Sequence, residues 1–261
     1  MQYKDQLNRK IEIDKTPQRI ISLVPSLTEL LVDLGLEDRL VGITKFCIHP
    51  KHLKKQKTVV GGTKQIHLDK IKALKPDFIL CNKEENTKEI VNQVEEITVT
   101  YVSNLNTIKD VLELIQKLGI LLDCKQKADR INQQIQQKQK QFSAYIKDKK
   151  KKKIAYFIWA NPYMVAGKNT FINALLKLNK FENIYKYLDR YPEIEIEKIK
   201  EVDYILLSSE PYPFQEKHKK IFTEYSKAKI ILVDGEYFSW YGSRLIQAFD
   251  YFKELHISLH S

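Results

Sequence analysis

Two rhythms of apolar and polar residues alternate along this chain, and the switches between them outline its elements. Lys10-Ile11-Glu12-Ile13 alternates with a period of two, so residues 1–18 are predicted to form a short hairpin. Arg19-Ile20-Ile21-Ser22-Leu23-Val24 is a short apolar run, the pattern of a strand buried on both faces of a parallel sheet. Leu27, Leu30, Leu31 and Leu34 then recur at helical spacing. Ser26 and Glu29 have the separation of a capping box, which predicts a helix starting at Ser26 and closed by Gly35. Strands are expected at Val41–Ile43, Asp77–Leu80 and Val99–Val102, with a helix over Lys88–Glu96. After residue 150 the rhythm resumes. Strands are predicted at Ile154–Trp159, Tyr204–Leu207 and Ile230–Val233, and helices at Thr170–Leu176, Lys217–Tyr225 and Ser243–Leu255. Strands alternating with helices predict parallel sheets covered by helices.

One module occurs twice. Leu68-Asp69-Lys70-Ile71-Lys72-Ala73-Leu74-Lys75-Pro76-Asp77-Phe78-Ile79-Leu80 reads as a helix turn running into a buried strand, and Ile196-Glu197-Lys198-Ile199-Lys200-Glu201-Val202-Asp203-Tyr204-Ile205-Leu206-Leu207 reads the same way. One copy in each half predicts two similar lobes. Between them, past Asp123, the chain turns polar and keeps only a thin seam of Ala128, Ile131, Ile135, Phe142 and Tyr145. A helix with one narrow apolar stripe suits a bridge between two bodies. A coiled-coil dimer competes, but normally needs more heptads. The expected fold class is α/β, two Rossmann-like lobes with parallel sheets joined by a single long rigid helix. The lobes are 1–122 and 151–261 and the helix is 123–150.

Charge and cysteines narrow the function classes. The net charge of +11 permits attraction to polyanions, and Lys149 to Lys153 are consecutive, yet no nucleic-acid-binding motif accompanies them. A solvated linker or helix end explains the run, and nucleic acid is not expected as a partner. Cys47, Cys81 and Cys124 are widely spaced, as buried free thiols would be, rather than a disulfide framework. Cys47-Ile48-His49-Pro50-Lys51-His52 has short metal-ligand spacing but no second pair to complete four ligands, so no metal site is expected. No apolar run approaches the roughly 18 residues of a membrane helix. The start, Met1 to Gln6, is charged with no apolar stretch after it, so no secretory signal is visible; the protein is cytosolic or shown from a mature start.

No GxSxG, P-loop, HExxH or GxGxxG motif is present, which favours binding over catalysis. The positive signal lies in the loops that follow strands, where ligands of parallel α/β lobes sit. These are Phe46-Cys47-Ile48-His49-Pro50, Trp159-Ala160-Asn161-Pro162-Tyr163-Met164 and Glu236-Tyr237-Phe238-Ser239-Trp240-Tyr241-Gly242, and they carry both tryptophans of the chain. Aromatic faces with a few polar groups hold large flat ligands; alternatively, such side chains close the core at a lobe edge. Arg244 could pair with a ligand carboxylate or phosphate, or equally with a surface acid.

Arg19-Ile20-Ile21-Ser22-Leu23-Val24-Pro25-Ser26-Leu27-Thr28-Glu29 resembles the opening of the helical-backbone substrate-binding proteins of ABC importers, which bind cobalamin, haem and ferric siderophores. Val59-Val60-Gly61-Gly62-Thr63-Lys64 with Leu68-Asp69-Lys70-Ile71, then Trp159 to Gly167 and Phe181-Glu182-Asn183-Ile184, resemble further motifs of that family. The cobalamin-binding branch is the nearest likeness, although His49 and Thr63 stand where its members often carry aromatics. The resemblance implies a ligand in the cleft between two lobes, lined by Phe46, His49, Trp159, Tyr163, Glu236 and Trp240, with Arg244 as a further candidate. It implies that Asp69 and Glu197 dock onto an ABC permease, that no reaction is catalysed and no intrinsic cofactor held, and that the chain works in the periplasm or cell envelope as a monomer carrying a corrinoid or other metal chelate. Haem or a ferric siderophore is the alternative cargo. A cytosolic chelate-handling protein and an enzyme on the same scaffold are the alternative functions.

Overall fold

A computed structural model describes residues 2–259, so that Met1, His260 and Ser261 at the ends of the expected lobes lie outside the described residues. Strands β1 (Gln2–Lys4) and β2 (Lys10–Glu12) pair antiparallel as the expected hairpin. The chain then alternates through β3 (Ile20–Ser22), α1 (Pro25–Asp33), β4 (Leu40–Ile43), α2 (Leu53–Gln56), β5 (Thr58–Val59), α3 (Leu68–Ala73), β6 (Phe78–Asn82), α4 (Lys88–Glu95), β7 (Thr100–Ser103) and α5 (Ile108–Leu121). The five strands lie in the order β5-β4-β3-β6-β7, all parallel. Ile21, Leu23, Ile71, Ile79 and Val102 are buried in its core.

Helix α6 (Lys125–Ile146) carries the chain onward. The second sheet follows as β8 (Lys152–Trp159), β9 (Met164–Val165), α7 (Phe171–Leu178), β10 (Phe181–Asn183), β11 (Tyr204–Ser208), α8 (Glu216–Thr223) and β12 (Lys229–Val233), closed by α9 (Glu236–Ser239) and α10 (Leu245–Ser258). Its order is β10-β8-β11-β12, parallel throughout, with the short β9 folded antiparallel onto β8.

The chain forms two compact units, residues 1–136 with 241–245, and residues 137–240 with 246–261. The division therefore falls inside α6, and Tyr241–Leu245 returns to the first unit from within the stretch expected to be the second lobe. Both halves of α6 are packed. Its early residues lie on α5, where a Cβ on Gly119 would stand 2.5 Å from that of Ala128 and Asn132 Nδ2 donates to the Leu112 carbonyl at 3.0 Å. Its late residues lie on α10, with Phe142 ring centroids 6.0 Å from Phe249 and 5.9 Å from Phe252.

The duplicated module has the same outcome twice, a turn leading into a strand all five of whose residues are buried, β6 in one sheet and β11 in the other. Each is an interior strand, which is why an unbroken apolar run marks it. The second copy opens as a 3-10 turn, Ile196–Lys198, rather than an α-helix.

Two local expectations are corrected. Helix α1 starts at Pro25, with Val24 at the N-cap and no side-chain cap bond. Proline suits the first helical position because its missing N–H would have had no partner there. Glu29 does not close a capping box, because its carboxylate is engaged elsewhere, as described below. A true box sits at Thr107 and Asp110, opening α5. Of the three thiols, Cys47 and Cys81 are buried but Cys124 is only partly so. Burial pushes the Cys81 thiol up to about 12.

Phe142 is only 3% exposed, so Phe142→Ala should destabilise the protein by about 3–5 kcal/mol through lost transfer energy and a cavity. Exposed Ser143 should tolerate Ala within about 0.5 kcal/mol. Urea unfolding of the two variants checks the difference.

Candidate functional site

In the first unit the strands β3 to β6 release their chains at one end, and buried side chains tie the resulting loops together. Asn86, after β6, does the most. Its Nδ2 donates to the Leu23 carbonyl at 3.2 Å and the Thr63 carbonyl at 3.0 Å, while its Oδ1 accepts the Asn82 N–H at 2.9 Å. One buried amide thus fixes the loops after β3, β5 and β6. The loop after β4 is held by Cys47, whose Sγ lies 3.1 Å from Thr28 Oγ1 and 3.3 Å from Thr44 Oγ1. With Cys47 drawn inside, its neighbours Phe46 and Ile48 stand 50% and 41% exposed. The Phe46 ring lies against Gly62, where a Cβ would sit 3.1 Å from Cε2, and Lys45 Nζ is 5.0 Å from its centroid. Gly61 turns this edge with φ +123, and its carbonyl accepts the Lys45 N–H at 2.7 Å. His49 is partly buried.

Arg244 belongs to this unit through the returning segment, where Gly242, at φ +87, lets the backbone approach Leu30 on α1. The guanidinium grips Glu29 with two bonds, Nε to Oε2 at 2.9 Å and Nη2 to Oε1 at 2.6 Å. The side chains are only 7% and 13% exposed. Burial pushes the Glu29 carboxyl above its ordinary value; Arg244 pulls it back in part, Asp33 adds to the rise and His49 draws it down. Arg244 is thus committed to a buried acid of its own unit, not to the surface acid that the sequence offered as its alternative partner.

In the second unit Trp159 ends β8 and is 38% exposed. Its ring meets Tyr212 edge-on at 5.7 Å. Tyr212 is backed by His218, which sits in the first turn of α8 and accepts the Gln215 N–H on Nδ1 at 2.8 Å. That bond leaves the ring proton on Nε2, which faces the Tyr212 hydroxyl at 3.4 Å. Tyr163, partly buried, packs edge-on against Phe157 and Phe222 at 6.1 and 5.5 Å. Burial raises its phenol above the usual value. Glu236 opens α9 and is partly buried, and Trp240 just beyond is 7% exposed. Phe238 is fully buried between Tyr156 at 5.2 Å and Phe252 at 4.9 Å, a core side chain.

Each unit therefore presents aromatic side chains at the carboxyl end of its sheet, Phe46 in one and Trp159 and Tyr163 in the other. Half-exposed rings on braced loops suit a large flat ligand better than bond making. The Cys47 thiol is turned inward and His52 Nε2 is bonded to Glu37 at 2.7 Å, and no group of three or more metal-ligating side chains is gathered among the described residues. Asp69 and Glu197 are exposed, each in the first turn of its helical segment. Sequence reading missed Asn86, His218 and the Glu29 partnership. Only the small buried polar residues near strand ends signalled the first.

The profile of the family described as periplasmic binding protein matches residues 20–231. This chain belongs to the periplasmic binding protein family. It is similar to an uncharacterized ABC transporter substrate-binding lipoprotein of Bacillus subtilis, 31% identical over 69% of this chain and 59% of that protein's length. It is also similar to a vitamin B12-binding protein of Pectobacterium carotovorum, 24% identical over 89% of this chain and 86% of the relative. The structure of a periplasmic haem-binding protein from Pseudomonas aeruginosa shares the fold, with TM-score 0.77 and 21% identity over 93% of this family member and 94% of that chain. Among the described residues no helix is long and apolar enough to cross a membrane.

Removing one partner of the buried pair should be costly. Glu29→Ala is expected to lose about 3–5 kcal/mol of stability by removing both charge-assisted bonds to the buried Arg244 guanidinium, and Glu29→Leu combined with Arg244→Met should recover most of it. Thermal and urea unfolding of the three proteins check this.

Proposed function

We propose that this chain is the substrate-binding protein of an ABC importer and that its cargo is cobalamin or a related corrinoid. It captures the chelate outside the cytoplasm, as a monomer in the cell envelope, and hands it to the permease unchanged. Phe46, His49, Trp159, Tyr163, Glu236 and Trp240 contribute the binding surface, with aromatic packing supplying most of the affinity and the polar groups setting orientation. The carrying observation is Trp159, a large ring left 38% exposed yet braced by Tyr212 and His218, at the strand end where α/β folds take ligands. Membership of the family and the likeness to a vitamin B12-binding relative support the reading. Haem is the second reading, supported by the shared fold of the haem-binding structure. Arg244, whose Nε and Nη2 are paired with Glu29, is a further candidate for the binding surface.

Titration of the purified protein with cyanocobalamin, cobinamide, haem and a ferric siderophore, read by tryptophan quenching and visible absorbance, tests the cargo. Saturable binding of a corrinoid is expected, and Trp159→Ala should weaken it by roughly ten- to a hundred-fold, the cost of removing an aromatic anchor. Haem binding without corrinoid binding would select the second reading, and no binding of any of the four would contradict the function. Asp69 and Glu197 are proposed to face the permease. Reversing both to Lys should leave cargo affinity unchanged and abolish uptake in cells; unchanged uptake would reduce the two acids to helix starts that complement the dipole.

A further inference from the structure

The second unit is electrically polarised along its strands. Because β10, β8, β11 and β12 are parallel, the segments that feed them share one end. Those segments, residues 147–153, 177–180, 200–203 and 224–229, hold eleven lysines and four acids, a net +7 of the chain's +11. The loops leaving the opposite end, 160–170, 184–195, 209–216 and 234–240, hold seven acids and three bases. Lys147, Lys150, Lys151, Lys153, Lys177, Lys200 and Lys227 are exposed at the basic end. The loop carrying most of them is pinned, since Lys180 Nζ donates to the carbonyls of Lys147 and, at 3.2 Å, of Lys149. Of the few acids there, Asp203 is already engaged by Lys152 Nζ at 3.1 Å and the Lys153 N–H at 2.7 Å. Two large side chains stand exposed at the same end, Tyr225 at 41% and Ile257 at 55%. Lys229 Nζ reaches the Ser258 carbonyl at 3.4 Å, which places the end of α10 there.

We propose that this basic end is a docking surface for an acidic phospholipid membrane. Clustered lysines concentrate at a negatively charged lipid surface, each adding to the attraction within a Debye length. An exposed tyrosine and isoleucine beside them can enter the headgroup layer, which a soluble polyanion would not require. The acidic loops at the other end are repelled by the same surface. The unit therefore adsorbs with its lysines toward the lipid and its aromatic loops outward to take up cargo, and it leaves the lipid before those loops meet the permease. The surface is distinct from the ligand-binding residues and does not depend on which cargo they take.

Sedimentation with vesicles of phosphatidylcholine, with and without phosphatidylglycerol, at about 100 mM salt tests the proposal on the full chain. The protein should partition onto the phosphatidylglycerol vesicles alone and leave them as salt rises. Lys150→Glu, Lys151→Glu and Lys153→Glu together should cut that partition at least ten-fold while leaving the circular dichroism melt unchanged. A control with the same charge change on the first unit, Lys54→Glu, Lys55→Glu and Lys88→Glu, should cut it less than three-fold. Absence of binding to phosphatidylglycerol vesicles, equal loss in the two triple variants, or capture by soluble polyphosphate without vesicle binding would each overturn the proposal.

Discussion

In a parallel sheet every strand hands its chain to a helix at the same end, so the loops that leave one sheet meet whether or not they are near in sequence. That constraint places Phe46, His49, Trp159, Tyr163 and Glu236 at strand carboxyl ends. Ile20–Ser22, Leu40–Ile43, Thr58–Val59 and Phe78–Asn82 run one way, and so the loops bearing Phe46, Gly61-Gly62-Thr63 and Asn86 meet. In the second unit the same geometry brings Trp159 beside Tyr212, 53 residues further along the chain. It also collects the segments entering the strands, and the lysines they carry, at the opposite end.

Half-exposed aromatics on loops need support, because a ring free to collapse onto the core has no face to offer a ligand. The support here is buried and mostly polar. Cys47 acts as a small inward anchor held by two threonine hydroxyls, and its neighbours are turned outward as a result. Asn86 satisfies three backbone groups, in the loops after β3 and β5 and at the end of β6, and leaves little freedom at that edge. His218 uses one ring nitrogen to cap α8 and the other to face Tyr212, so helix start and aromatic brace are one device. The Glu29–Arg244 pair anchors the returning segment to α1 in the first unit at the cost of burying two charges.

Short-range patterns made much of the fold legible. The unbroken apolar run Phe78-Ile79-Leu80 and its counterpart Tyr204–Leu207 announced the interior strands, and the thin seam through Ile131, Ile135 and Phe142 announced α6. The strands β5 and β9 are two residues each, too short for any period to show. Ser26 and Glu29 illustrate a deeper limit. Their spacing matches a capping box, but an arginine 215 residues further on competes for the same carboxylate, and local pattern carries no trace of it. The aromatic loops were visible as composition. Which rings face outward was not, because Phe238 and Trp159 differ only in what packs around them.

The proposed cargo site is made by the loops at the strand carboxyl ends. Hydrogen–deuterium exchange, comparing the protein alone with the protein saturated by whichever chelate binds most tightly, tests it directly. Slowed exchange is predicted for residues 44–50, 159–163, 210–215 and 236–241, with the basic segment 147–153 unchanged. Protection confined to that basic segment or to α6, with those loops unaffected, would contradict the account.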